Sequence, residues 1–177
     1  MDRSIVVSGG GTGIGRAVAH SFVLGGDRVL IIGRRADVLS GAAADMNEES
    51  GTDLAAWMVA DLTVPEQVEP IAERVGGVVD VVVNAAGGVD RAEAATLADV
   101  RDGWLRDVAS SVLTAVLLTT ALEPSLRRPG GRIVTISLGA TLASAFGWQL
   151  ALPLTELTHV HAAWGLGGWS LLLVAGV

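Results

Sequence analysis

The 177-residue sequence contains no cysteine, no tyrosine and no lysine. Without cysteine there is no disulfide, no thiol nucleophile and no cysteine metal site. Without tyrosine and lysine, neither a phenol nor an ammonium side chain is at hand for any chemistry within these residues. The positive charge is carried by twelve arginines, all at or before Arg132. From Ile133 to Val177 the one formally charged side chain is Glu156. A soluble α/β domain ordinarily carries charge throughout, so residue 137 or 138 marks a change in the kind of sequence. The net charge of −7, with no basic run, argues against nucleic acid as a partner. Met1-Asp2-Arg3 leads straight into an apolar run, which reads as no signal peptide and makes the cytoplasm the expected compartment.

What is present begins with hydrophobicity: half of the chain is apolar, and the length suits one domain with a real core. Ser4-Ile5-Val6-Val7 is short, β-branched and apolar, as in a strand buried on both faces. It runs into Ser8-Gly9-Gly10-Gly11-Thr12-Gly13-Ile14-Gly15-Arg16, after which helical spacing sets in. A strand that turns sharply into a helix aims backbone N–H groups and the positive end of the helix dipole at one place, and that place favours phosphate. Glycines permit the tight turn and the close approach of a pyrophosphate. The spacing Gly9-x-x-x-Gly13-x-Gly15, with Ser8 in front and Ile14 between the last two glycines, resembles the fingerprint of the short-chain dehydrogenase/reductase family.

The rest of the first 137 residues alternates strands with helices: helix 13–25, strand 28–33, helix 36–49, strand 53–60, helix 67–75, strand 78–83, helix 104–122 and strand 132–137. Such alternation predicts a doubly wound, mostly parallel α/β Rossmann sheet with helices on both faces, C-terminally incomplete. Dinucleotide sites that prefer NAD place a carboxylate at the end of the second strand. Gly33-Arg34-Arg35 stands there instead, and two guanidiniums can pair with a 2′-phosphate, so NADP(H) is favoured over NAD(H). The plain alternative is a solvated pair of loop arginines.

The resemblance covers residues 3 to 137 and implies roles at further strand ends. Asp61, followed by Leu62, matches the family's aspartate that holds the adenine amino group; the same residue also suits a cap on the helix near Pro65. Asn84-Ala85-Ala86-Gly87 is similar to the family's Asn-Asn-Ala-Gly segment, whose small residues let ribose and nicotinamide lie on the backbone while Asn84 bonds neighbouring main chain. Helix 104–122 carries two apolar stripes, Trp104, Val108, Val112, Ala115, Val116, Thr119 and Leu105, Leu113, Leu117, Leu122. A helix apolar on two sides buries both, and in this family the second surface commonly meets another subunit, so a homo-oligomer is expected there.

The resemblance also implies carbonyl or secondary-alcohol substrates, with a tyrosine as proton donor, a lysine four residues on and a serine on the carbonyl oxygen. The chain departs from that set. Leu138 occupies the serine's place, Ser137 beside it faces the other way in an extended strand, and Ser111 stands where the family has a helix asparagine. His159, His161 and Glu156 do not replace the missing groups, so no catalytic residue and no metal ligand is assigned. Three expectations follow: an NADP(H)-dependent oxidoreductase, possible in impaired form; a non-catalytic NADP(H)-binding protein; or a truncated or frame-shifted family member. Residues 139–177 form a divergent apolar segment, not a separate domain. Val160 to Val177 is eighteen residues without formal charge, but glycines dilute it and no arginine flanks it, so a buried helix is expected rather than a membrane span.

Overall fold

The computed structural model describes residues 3–88 and 95–136. Five parallel strands form one sheet in the order β3-β2-β1-β4-β5. They are β1 (Ser4–Ser8), β2 (Arg28–Gly33), β3 (Ala55–Val59), β4 (Val81–Asn84) and β5 (Arg132–Thr135). The chain passes from β1 outward through β2 to β3, then crosses back over β1 to β4. The two directions part between β1 and β4, which opens a crevice at their C-terminal ends, the usual ligand position in such sheets.

The period-2 alternation of strands decides which side chain goes to which layer. Ile5, Val7, Val29, Ile31, Val81 and Val83 point to one face, where α1 (Gly13–Leu24) and α2 (Ala36–Ser50) cover them with Ala19, Val23, Leu39, Ala43 and Met46. Val6, Leu30, Ile32 and Val82 point to the other, against Val68, Ile71, Leu118 and Leu122. Both faces are dry, which is why the strands read as continuous β-branched runs rather than as alternating ones.

The helices on the second face differ from the expected ones. The single helix at 67–75 is two short pieces, α3 (Pro65–Val68) and α4 (Pro70–Val75), because Pro70 has no N–H to continue the ladder. The helix expected from Trp104 starts earlier, as α5 (Leu97–Val108), at a reciprocal cap: Thr96 Oγ1 accepts from the Asp99 N–H at 3.2 Å and Asp99 Oδ2 accepts from the Thr96 N–H at 2.9 Å. It continues through a π-helical stretch, Ala109–Leu113, into α6 (Thr114–Leu122).

The wide turn changes which residues face inward. The Thr114 N–H bonds the Ala109 carbonyl, five residues back, which adds a residue to that turn and rotates the faces on either side of it. The buried line is therefore Ser111, Thr114, Leu118 and Leu122. Trp104, Val108 and Val116 of one apolar stripe and Leu105 and Leu113 of the other are exposed, so neither stripe as a whole packs on the sheet. Leu97–Ser125 has the length and mean hydropathy, 1.4, of a membrane span. About a fifth of that stretch is buried, Leu118 and Leu122 fully so against the sheet.

Candidate functional site

The crevice between β1 and β4 is built by the glycine turn on one side and Asn84 to Gly88 on the other. The Gly9 N–H donates to the Ile32 carbonyl at 2.8 Å, which fixes where the chain leaves the sheet. Gly9 has φ +67°, and a Cβ there would lie 2.8 Å from both the Ala85 carbonyl oxygen and the Ala86 nitrogen, so only glycine allows the two loops to meet. Ser8 completes the junction: its Oγ accepts from the Ala85 N–H at 3.1 Å and the Ala86 N–H at 3.0 Å. Ser8 is 1% exposed, so its hydroxyl holds the far loop in position instead of facing the crevice.

Beyond the turn lies the start of α1. Thr12 is its N-cap residue, extended at φ −147°, and its hydroxyl makes no capping bond; no acidic side chain stands in the first turn. The first-turn N–H groups thus keep their attraction for an anion. Gly13 has φ +55°, and a Cβ on it would meet nothing within 4 Å. Open space in front of uncapped amides suits a pyrophosphate, so these residues fit the dinucleotide that the sequence implies. Gly11 and Ile14 are half-buried beside them, and Gly15 is buried within the turn.

Arg34 and Arg35 are exposed immediately after β2, and Arg35 is the N-cap residue of α2. Asp61, at the end of β3, sits in a small turn: its Oδ1 accepts from the Thr63 N–H at 2.9 Å and the Thr63 hydroxyl at 2.7 Å, and its own N–H donates to Gln67 Oε1 at 2.8 Å. The Thr63 donors hold the Asp61 carboxyl below the ordinary carboxylate range, and the Arg34 charge adds to this. Asp61 is therefore not a cap of α3, whose N-cap residue is Val64 with no side-chain capping bond; it closes a turn ahead of that helix, and Arg34 lies close enough for its field to be felt there. Leu62 is 3% exposed, in the core under α3, so its side chain serves packing.

Asn84 differs from the expectation that its side chain bonds main chain. Its Nδ2 lies 3.1 Å from Thr119 Oγ1 and 3.4 Å from Thr135 Oγ1, on the face covered by α6, because residue 84 shares the parity of Val82. Ala85 and Ala86 are half-buried and Gly87 is exposed at the crevice. The role of Thr119 and Thr135 escaped sequence reading, since they lie 35 and 51 residues from Asn84 with no local pattern to announce them. Ser111 is buried at the π-helical stretch. Ser137, Leu138, Glu156, His159, His161 and the segment 139–177 lie outside the described residues. Among the described residues no three histidine, aspartate or glutamate side chains come together as metal ligands.

Residues 3–150 match the sequence family described as short chain dehydrogenase. The chain belongs to the short-chain dehydrogenase family. The match extends to residue 150, past the compositional boundary at 137. This short-chain dehydrogenase is 31% identical over 143 residues to the bovine dehydrogenase/reductase SDR family member 12, covering 79% of this chain and 44% of the relative. It is 30% identical over 148 residues to a probable oxidoreductase of Streptomyces antibioticus, covering 83% and 49%. The chain thus spans about half the length of the curated relatives it matches. Among solved structures, a short-chain type dehydrogenase/reductase from Mycobacterium ulcerans superposes with TM-score 0.70 and 28% identity, over 94% of this chain and 63% of that one. The L-sorbose reductase of Gluconobacter frateurii, complexed with NADPH and L-sorbose, gives TM-score 0.62 and 30% identity over 75% and 51%.

Proposed function

We propose that this short-chain dehydrogenase binds NADP(H) in preference to NAD(H) across the C-terminal ends of β1, β2 and β4, as an oxidoreductase of carbonyl or secondary-alcohol substrates. The observation that carries the preference is the exposed Arg34-Arg35 pair where NAD sites hold a carboxylate. Its two guanidiniums pair with a 2′-phosphate, the amides of the glycine turn and α1 take the pyrophosphate, and Asp61 takes the adenine edge. Asn84 and Ser8 act from beneath, by holding Ala85 to Gly87 in place for the ribose and nicotinamide. The dinucleotide, when bound, supplies or accepts the hydride. The NADPH in the L-sorbose reductase relative supports the choice.

Calorimetric titration with NADPH and with NADH tests it. Replacing Arg34 and Arg35 by alanine removes charge-assisted contacts, and NADPH affinity is expected to fall about 10- to 100-fold while NADH affinity stays unchanged. Equal NADPH affinity in the double variant would remove the phosphate assignment.

A second reading rests on the absence of tyrosine and lysine from the 177 residues: dinucleotide binding without turnover. It predicts NADPH affinity with no absorbance change at 340 nm, the reduced-nicotinamide band, across a panel of ketones. Turnover on any of them would decide against it.

A further inference from the structure

The middle rows of the central strands are apolar, and at their C-terminal end comes a polar row. Ser8, Asn84 and Thr135 stand in register across β1, β4 and β5, at the C-terminal end of each strand, on the face covered by α6. The rows below it, Val7, Val83, Val134 and Val6, Val82, Ile133, carry no polar side chain. Thr119 reaches toward this row from α6. Ser8 and Asn84 are buried in this band, Thr119 is half-buried behind them and Thr135 is exposed at its outer end.

Its centre is not satisfied among the described residues. Asn84 is 1% exposed and bonds Thr119 and Thr135 through Nδ2, while its Oδ1 is buried and accepts no hydrogen bond from any side chain or backbone group among the described residues. Turning the amide over does not remove the difficulty. Threonine hydroxyls donate as well as accept, so Oδ1 would then take both, and the two N–H donors would be left in the orphaned position. Either way one edge of a buried amide needs a partner, and leaving such a group unpaired costs more than the pairs it makes return. The partner must be small, neutral and able to donate or accept.

We propose that the Asn84–Thr119–Thr135 cluster is a binding site for one internal water molecule, which bridges β4, β5 and α6. Water meets each requirement, since a buried water is stable where two to four polar groups converge. Oδ1 and the two threonine hydroxyls are those groups. Asn84 immediately precedes Ala85, so the water steadies the strand end whose next two amides Ser8 holds from the neighbouring strand. This role does not depend on the cofactor assignment.

A crystal structure of the full 177-residue chain at better than about 1.5 Å decides it, since ordered waters are visible there. The expected result is a single ordered water within 2.7–3.2 Å of the Asn84 amide edge and of at least one of Thr119 and Thr135. An amide edge paired to a protein donor, or a dry one, would overturn the proposal. Thermal unfolding of Asn84→Leu gives a second readout of the same question. A hydrated cluster predicts a melting temperature lower by about 3–10 °C, because water and both hydroxyls lose their partner together. If the edge is unpaired, the apolar isostere leaves the melting temperature unchanged or raises it, which counts against the water. Thr119→Val serves where the leucine variant does not fold: a fall of about 2–4 °C is expected, and no fall refutes the bridge.

Discussion

The two sides of the β1/β4 parting are built to different degrees of closure. On the β2–β3 side, α2 buries Leu39, Ala42, Ala43 and Met46 against β2, whose Val29 and Ile31 are enclosed, and against Ala55 of β3. On the β4–β5 side, α5 is also amphipathic and of similar length, yet none of its residues is buried. The geometry explains this: Leu97–Leu122 runs about 39 Å at helical rise, whereas the four residues of β4 span about 13 Å. The helix outruns the sheet, and its first half has no sheet to cover. β4 is covered by α1 on one face and by α6 on the other, and β5 is left with Ile133 and Val134 half-exposed. The contrast teaches that both edge strands stay partly open, with Trp57 and Val59 exposed on β3. On the first side, however, the covering helix is itself buried along its length, while on the second it depends on a short contact and presents a surface.

The largest effect should therefore come from that short contact. Leu118 is fully buried between β4 and α4, and removing its methyl groups leaves a cavity that one helix cannot collapse into. Leu118→Ala should cost about 2–5 kcal/mol in urea unfolding. A cost under about 1 kcal/mol, the range of a surface change, would show that the second side does not rest on α6.

Much of this was legible in the chain. Ile5-Val6-Val7 and Val81-Val82-Val83 are apolar on consecutive residues, and only a two-faced sheet requires that. The glycine spacing announces its turn, because Gly9 and Gly13 occupy conformations that side chains reject. Three features stayed hidden, each for a physical reason. The π-helical turn depends on how Ser111 and Thr114 seat against the sheet, which local propensity does not register. Asn84 finds Thr119 and Thr135 through pairing across strands and helix, so no local window contains the contact. The start of α5 was readable as Thr96-x-x-Asp99, but the stronger apolar signal from Trp104 masked it.

A middle-sized effect concerns how the second side is fastened below. Asp80, just before β4, accepts from the Ser4 N–H at 2.9 Å and from the Arg127 guanidinium, so it links the central strand to the segment after α6. The Arg127 hydrogen bond holds its carboxyl below the ordinary range, against the opposing effect of burial, and the Ser4 N–H assists. The sign follows from linkage. A depressed folded pKa gives stability that is present above the unfolded carboxylate value of about 3.9 and disappears as pH falls through the lower folded value. Stability should hold from neutral pH to about pH 5 and then decline, and in Asp80→Asn the neutral value should be lower and the decline shallower. Hydrogen exchange sharpens the comparison: at acid pH the amides of β4 and β5 should open before those of β2. Simultaneous opening of both sides would break it.

The smallest effect on stability, and the one that says what the exposed surface is for, lies on α5. Leu105 is 62% exposed, with Trp104, Val108, Leu113 and Val116 also open to solvent along the same helix. Taken as a lone chain, Leu105→Ala should change stability by no more than about 0.5 kcal/mol, the range for surface positions. We place the expected homo-oligomer contact on this face, because a contiguous apolar surface marks an association site more often than an idle one. Sedimentation of the wild type at micromolar concentration should then give a mass above that of one chain, and Leu105→Asp should restore the single-chain mass, since a carboxylate buried at the contact has no partner there. A wild type that sediments as one chain removes the proposal and leaves α5 as an uncovered helix. An oligomer that survives Leu105→Asp moves the contact elsewhere, and half-exposed β5, the edge strand among the described residues, becomes the place to probe next.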